Sequence, residues 1–138
     1  MREILFRGKT AKGEWVYGNY EYYHKPEKHI ISDIYDKITK GVSPETVGQF
    51  TGLTDKNGKK IFEGDIVKFH TETYTEEYDT IGAIEYSYGA FGIAYANRRH
   101  FLEFCTMSMY IRWYEVIGNI HDNPDLLKEQ QNERKANY

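Results

Sequence analysis

The sequence predicts a mostly β protein, a barrel-like or bifurcated antiparallel sheet with short helices near 44–48 and at the C-terminus. Three observations carry this. Aromatic residues make up 16% of the chain, with thirteen tyrosines, and such side chains suit pleated, half-buried surfaces. Short alternating stretches are punctuated throughout by Gly, Asn and Asp. Thr51–Lys68 reads as two strands joined by a tight turn, with a third strand following at once. There Asp55-Lys56-Asn57-Gly58 suits a type I turn in which Gly58 takes positive φ, closing a bulged hairpin. Glycine fits that place because it has no Cβ to clash. Glu63-Gly64-Asp65 breaks the pattern, and Ile66–Phe69 resumes it.

Ile4–Arg7 is predicted as the first strand, and Gly8–Gly13 as a turn. Glu14–Tyr23 follows as a long strand, Trp15 and Tyr17 on one face and Val16, Tyr20 and Tyr22 on the other. Gly18 in its middle reads as a bend or bulge. His24–Lys28 is a loop, His29–Ile34 extended, and Ile38–Val42 extended again after a turn at Asp36-Lys37. Ser43-Pro44-Glu45 has the chemistry of a helix start: a capping hydroxyl, a residue without an amide donor, and a carboxylate at the positive end. Gly48 limits that helix to about one turn.

After the central hairpin, Thr71–Asp79 is polar and acidic and reads as a solvated loop. Thr80–Tyr86, Phe91–Ala96, Phe101–Phe104 and Met109–Ile117 read as strands, the last expected to be buried on much of both faces. Asn123-Pro124-Asp125 repeats the helix-start chemistry. Leu126 and Leu127 would pin that helix to a folded body spanning 1–127, and 128–138 is a charged, fraying tail. The 138 residues are expected to form a single domain, 1–138.

Composition narrows the function. With 18 basic and 21 acidic side chains the net charge is −3, which gives no global support to duplex-DNA binding. The single cysteine, Cys105, excludes an internal disulfide and fits a reducing compartment. No stretch resembles a signal peptide or a membrane span, so a cytoplasmic protein with no membrane contact is expected.

The chemical motifs fail one by one. Laid on a calcium-loop register, Asp55-x-Asn57-Gly58 would put Leu53 and Gly64 where carboxylates are required. Gly52…Gly58-Lys59-Lys60 has the wrong spacing for a phosphate-binding loop. His24, His29, His70, His100 and His121 show no metal-ligand spacing, and Cys105 cannot build a thiolate site. Neither a metal nor another cofactor is therefore expected. Asp55, Glu63 and Asp65 are the raw material for hydrolysis, but Asp55 and Asp65 can equally hold backbone amides at a turn and a strand entrance. Asn97-Arg98-Arg99-His100 lies between Tyr95 and Phe101. Arg98, Arg99 and His100 are thus candidate contacts for a partner or for single-stranded nucleic acid, set against an ordinary exposed turn.

The opening Arg2–Arg7, the block Thr46–Val67 and the closing Glu115–Leu127, in that order, resemble the YopX family of phage and prophage proteins. Phe62 and His121 stand where that family usually has tyrosine. The resemblance implies an all-β, barrel-like fold with short helices and an origin in phages or prophages of Gram-positive bacteria. It implies no activity and no catalytic residues, and it is compatible with self-association. The expectation is a non-enzymatic accessory protein that contacts protein partners and can form a homo-oligomer, with Asp55, Asn57, Gly58, Gly64 and Asp65 as a structural turn motif. The alternative is a small-barrel nucleic-acid binder.

Overall fold

The computed structural model describes residues 2–33, 35, 37–104 and 110–128. Its strands are β1 (Phe6–Lys9), β2 (Trp15–His24), β3 (Glu27–Ser32), β4 (Thr39–Gly41), β5 (Gly48–Thr54), β6 (Lys60–Phe62), β7 (Asp65–Glu72), β8 (Glu77–Ser87), β9 (Ala90–Tyr95), β10 (His100–Glu103) and β11 (Ile111–Asn119). The predicted class holds: two antiparallel sheets and little helix. The chain gathers into two compact units, Met1–Gly52 and Leu53–Tyr138. Cys105, Met109 and the tail from 129 onward lie outside the described residues, as does Asp36 of the expected turn.

In the first unit the strand order is β4-β3-β2-β1-β5. β2 serves two neighbours in succession: Trp15–Gly18 pair with β1, and Asn19–His24 pair with β3. Gly18 is therefore a hand-over point and not the expected bulge. A Cβ there would stand 2.0 Å from the Ser32 carbonyl oxygen, so close backbone approach demands glycine. Ile31, Val42 and Phe50 are buried. Arg7, also buried, lies 4.7 Å from the Trp15 ring centroid.

The helix predicted near 44–48 is one 3₁₀ turn, Pro44–Thr46. The Ser43 side chain does not cap it. Thr46 does the local work instead. Its hydroxyl donates to the Ser43 carbonyl at 2.6 Å and accepts the Lys9 amide at 2.8 Å. Over a single turn, the i+3 bond from the Thr46 amide to the Ser43 carbonyl (3.0 Å) leaves little for a cap to add.

In the second unit the order is β10-β9-β8-β7-β11. Ile61, Val67, Phe69, Ile84 and Ile93 form its core, each contributing about 1.5–3 kcal/mol on burial. Strand alternation puts Val67, Phe69 and Thr71 on the core face and Lys68, His70 and Glu72 on the other. The acidic stretch Thr71–Asp79 is not the expected loop. β7 runs to Glu72, β8 starts at Glu77, and only 73–76 turn. Register explains this: Glu72 opposes Glu77 and His70 opposes Asp79, so the acids line one exposed face. β11 is half-buried along most of its length, not buried on both sides, and its register shifts at Ile111/Trp113 and Val116/Gly118.

A short helix covers 125–128. Asn123 turns away from it: its Oδ1 accepts the Asn119 amide at 3.2 Å and occupies the space a Cβ on Gly118 would need. Its side chain closes the end of β11. No helix among the described residues is long and apolar enough to cross a membrane.

Candidate functional site

The Asp55 turn has the geometry that its residue types dictate. Gly58 sits at φ +80°, its amide donates to the Asp55 carbonyl at 2.9 Å, and the Asp55 amide donates to Lys59 at 2.8 Å. The Asp55 carboxylate goes further. Oδ1 accepts the Asn57 and Lys59 amides, each at 2.9 Å. Oδ2 accepts the Val116 amide at 2.9 Å, while the Lys56 amide donates to the Tyr114 carbonyl at 3.0 Å. The turn is thus fastened to β11. Burial of Asp55 works against its charge, yet the Val116, Lys59 and Asn57 amides and the Lys59 ammonium outweigh it. The carboxyl titrates below its ordinary value.

Asp65 is 1% exposed, and its Oδ2 accepts the Phe62 amide at 2.8 Å. Gly64, at φ +93°, donates to Ile84 and accepts from Ile120, each at 2.9 Å. Asp55 and Asp65 are directed at backbone. With Glu63 they form no group of three metal-capable side chains among the described residues.

Such a group occurs elsewhere. His70, Glu72 and Glu77 bring one ligand atom each within 4.8 Å of the others. His70 lies between two carboxylates, with Nδ1 2.6 Å from Asp79 Oδ1 and Nε2 2.8 Å from Glu77 Oε1. A neutral imidazole carries one N–H, so holding both bonds favours the cation. The Asp79 bond raises the His70 pKa; burial opposes that, and Glu77 adds to it. The same bond lowers the Asp79 pKa, against burial and with help from Lys68. The His70 ring stacks on Trp113 at 5.3 Å, Lys56 Nζ lies 4.0 Å from the Trp113 centroid, and Arg112 pairs with Glu72 at 3.2 Å. Every member of the cluster is engaged. Reading 71–79 as a loop hid it; the two-residue spacings His70-x-Glu72 and Glu77-x-Asp79 are the signal that exposes it.

The basic turn does not present one surface. Ala96, Asn97 and Arg98 all have positive φ, 54°, 60° and 65°. Asn tolerates this region and Arg does so at a cost. Arg98 reaches back to Glu85 of β8, with Nε to Oε1 at 3.2 Å and Nη2 to Oε2 at 3.3 Å. His100 turns its ring onto Tyr95, 5.3 Å between centroids. Arg99 is exposed and makes no ion pair among the described residues. Beside Arg98 runs a groove of about 290 Å³ lined by Ile81, Ala83, Ala94, Ile120 and Leu127.

In the first unit, rings follow one another along β2. Tyr20 meets Phe6 at 5.7 Å, and Tyr22 meets His29 at 4.5 Å and His24 at 4.4 Å. Among the twelve described tyrosines nine are exposed: 17, 22, 23, 35, 74, 78, 86, 88 and 110. Tyr35, Tyr74 and Tyr88 stand at turns and are almost wholly exposed.

These features define an antiparallel two-sheet β protein whose buried carboxylates brace backbone and whose surface is rich in tyrosine. The chain belongs to the YopX protein family, whose model matches residues 5–128. It is similar to the crystal structure of protein EF1440 from Enterococcus faecalis, with 28% identity over 92% of this chain and 99% of that one, at a TM-score of 0.56. No curated protein matches it.

Proposed function

We propose that this chain is a non-enzymatic accessory protein of a phage or prophage, acting in the host cytoplasm by contacting proteins, its own copies included. The observation that carries this reading is the exposure of nine tyrosines. A tyrosine that only caps a core hides its ring, whereas binding surfaces favour tyrosine for its broad apolar face and wet hydroxyl. The engagement of Asp55 and Asp65 with backbone amides supports the absence of catalysis by that pair.

The nucleic-acid reading has less support. Arg98 is matched by Glu85, and His100 turns its ring onto Tyr95. Retention of single-stranded DNA or RNA at low salt, declining steeply as salt rises, would revive it.

The direct test places a photocrosslinking amino acid at Tyr17, Tyr35, Tyr74, Tyr88 and Tyr110 in turn, in cells carrying the protein. A protein adduct confined to one or two positions is expected. Silence at all five sinks the proposal.

A further inference from the structure

Strand geometry brings three metal-capable groups to one exposed face of the β7–β8 hairpin. His70 and Glu72 are two residues apart on β7 and so share a face. Glu77 stands directly opposite Glu72 in the register of β8. One ligand atom from each lies within 4.8 Å of the other two. The register has an electrostatic cost. Carboxylates in directly opposed positions repel across an antiparallel pair, and Asp79, opposite His70, adds a third acid to the patch. Positive charge placed between Glu72 and Glu77 would relieve that repulsion.

We infer that His70, Glu72 and Glu77 bind a zinc ion that clips β7 to β8 beside the turn at 73–76. Imidazole and carboxylate together suit zinc, and three protein ligands leave the fourth tetrahedral place to water. Calcium, which takes six to eight oxygens, does not suit the set. The His70 ring is oriented in advance. With its proton on Nδ1, the neutral ring donates to Asp79 Oδ1 at 2.6 Å, the carboxylate contact that metal-binding histidines ordinarily make, and Nε2 is left as the ligand. Lys68 Nζ, 3.7 Å from Asp79 Oδ2, steadies that carboxylate. Trp113, stacked at 5.3 Å and 5° from parallel, fixes the plane of the ring. The present partners of the three groups do not bar the ion. Nε2 and Glu77 Oε1 are 2.8 Å apart across a proton. Zinc replaces that proton, which passes to water. Glu72 holds Arg112 through Oε2 at 3.2 Å. A carboxylate has two oxygens, so Oε1 can meet the ion while that bond persists, and an exposed ion pair of this kind also yields at little cost. Bonds of about 2.1 Å to a tetrahedral ion set its ligands about 3.4 Å apart. Rotation of the exposed Glu72 and Glu77 side chains closes the remaining distance without moving backbone. The inference is independent of the proposed contacts with other proteins.

Isothermal titration of zinc chloride into the chelator-treated full chain tests this. Saturable binding of a single zinc per chain is expected. Glu77 is exposed at the hairpin tip, so Glu77→Gln tests the ligand set without burdening the fold. Glu77→Gln and His70→Gln should each weaken binding at least about tenfold, and Asp79→Asn, which acts only by orienting His70, by about tenfold. Replacing His24 and His29 of the first unit together by Gln should leave binding unchanged. In a Trp15→Phe background, zinc should change the fluorescence of Trp113 through the stacked His70 ring, and should not do so in His70→Gln. Circular dichroism confirms that each variant is folded. No saturable binding at about 100 μM zinc overturns the inference. Binding that survives both His70→Gln and Glu77→Gln, or that is lost with His24 and His29, also overturns it and leaves an adventitious ion only.

Discussion

Asp55→Ala is the substitution from which most can be learned. It removes a carboxylate, 7% exposed as a residue, that accepts three backbone amides. Asn57 is exposed and Lys59 lies at the hairpin exit, so water replaces part of what those amides lose, about 0.5 kcal/mol each. The Val116 amide lies in half-buried β11, and its bond to a charged acceptor is worth about 1.5–3 kcal/mol. The total is about 2.5–4 kcal/mol. Asp55→Asn keeps an acceptor for the turn but sets an NH₂ group against the Val116 amide, or gives up both turn bonds to avoid it, at about 1.5–3 kcal/mol. The chain has two tryptophans, Trp15 in the first unit and Trp113 in the second. Urea unfolding in a Trp15→Phe background, followed by Trp113 fluorescence, reads the relevant unit alone. The folded pKa of Asp55 lies below its unfolded value, so its contribution is present above the unfolded pKa, about 3.9. It is lost as pH falls through the folded value. Asp55→Asn should therefore flatten the acid limb of stability. A cost below about 0.5 kcal/mol for Asp55→Ala, or an unchanged acid limb, refutes the reasoning.

Other perturbations follow from the same structure. The Thr80 hydroxyl is fully buried with no hydrogen-bond partner among the described residues, so Thr80→Val should stabilise by about 1 kcal/mol in urea titration. Tyr88 and Gly89 hold φ of 53° and 79° between the paired Ser87 and Ala90. That is a two-residue hairpin loop in which Asn is preferred first, and Tyr88→Asn should raise the melting temperature by an amount worth about 0.5–1 kcal/mol. Gly18→Ala drives a methyl into the Ser32 carbonyl and should cost more than about 2 kcal/mol in thermal unfolding. The folded pKa of His70 is raised. Its stabilising contribution is complete below the ordinary histidine value and disappears as pH rises through the raised one. Amide protection in the β7–β8 hairpin, corrected for the intrinsic rise of exchange with pH, should fall over that window in wild type and not in His70→Gln.

Much of the fold was legible because local chemistry and global structure agree. Asp55-Lys56-Asn57-Gly58 specifies its turn wherever it occurs, and Gly64 marks the step into β7. Other features depended on partners far away in sequence. Nothing around Asp55 announces that its second oxygen is reserved for Val116. The acids of 71–79 mimic a loop by composition, and only the opposed strand reveals that they alternate. Asn123 has the chemistry of a helix cap but finds Asn119 first. Arg98 and His100 are two residues apart in the chain yet engage different partners, Glu85 and Tyr95.

The order β10-β9-β8-β7-β11 has a bearing on biosynthesis. β7 is made before β8, β9 and β10, but the neighbour on its open flank, β11, is made after all of them, and the Asp55 carboxylate waits 61 residues for its Val116 amide. Until position 116 has been made, the nascent second unit exposes a bare strand beside an unsatisfied acid. Its closure is therefore a late, long-range event, and a ribosome stalled before position 116 would hold a chain ready to pair with the wrong strand.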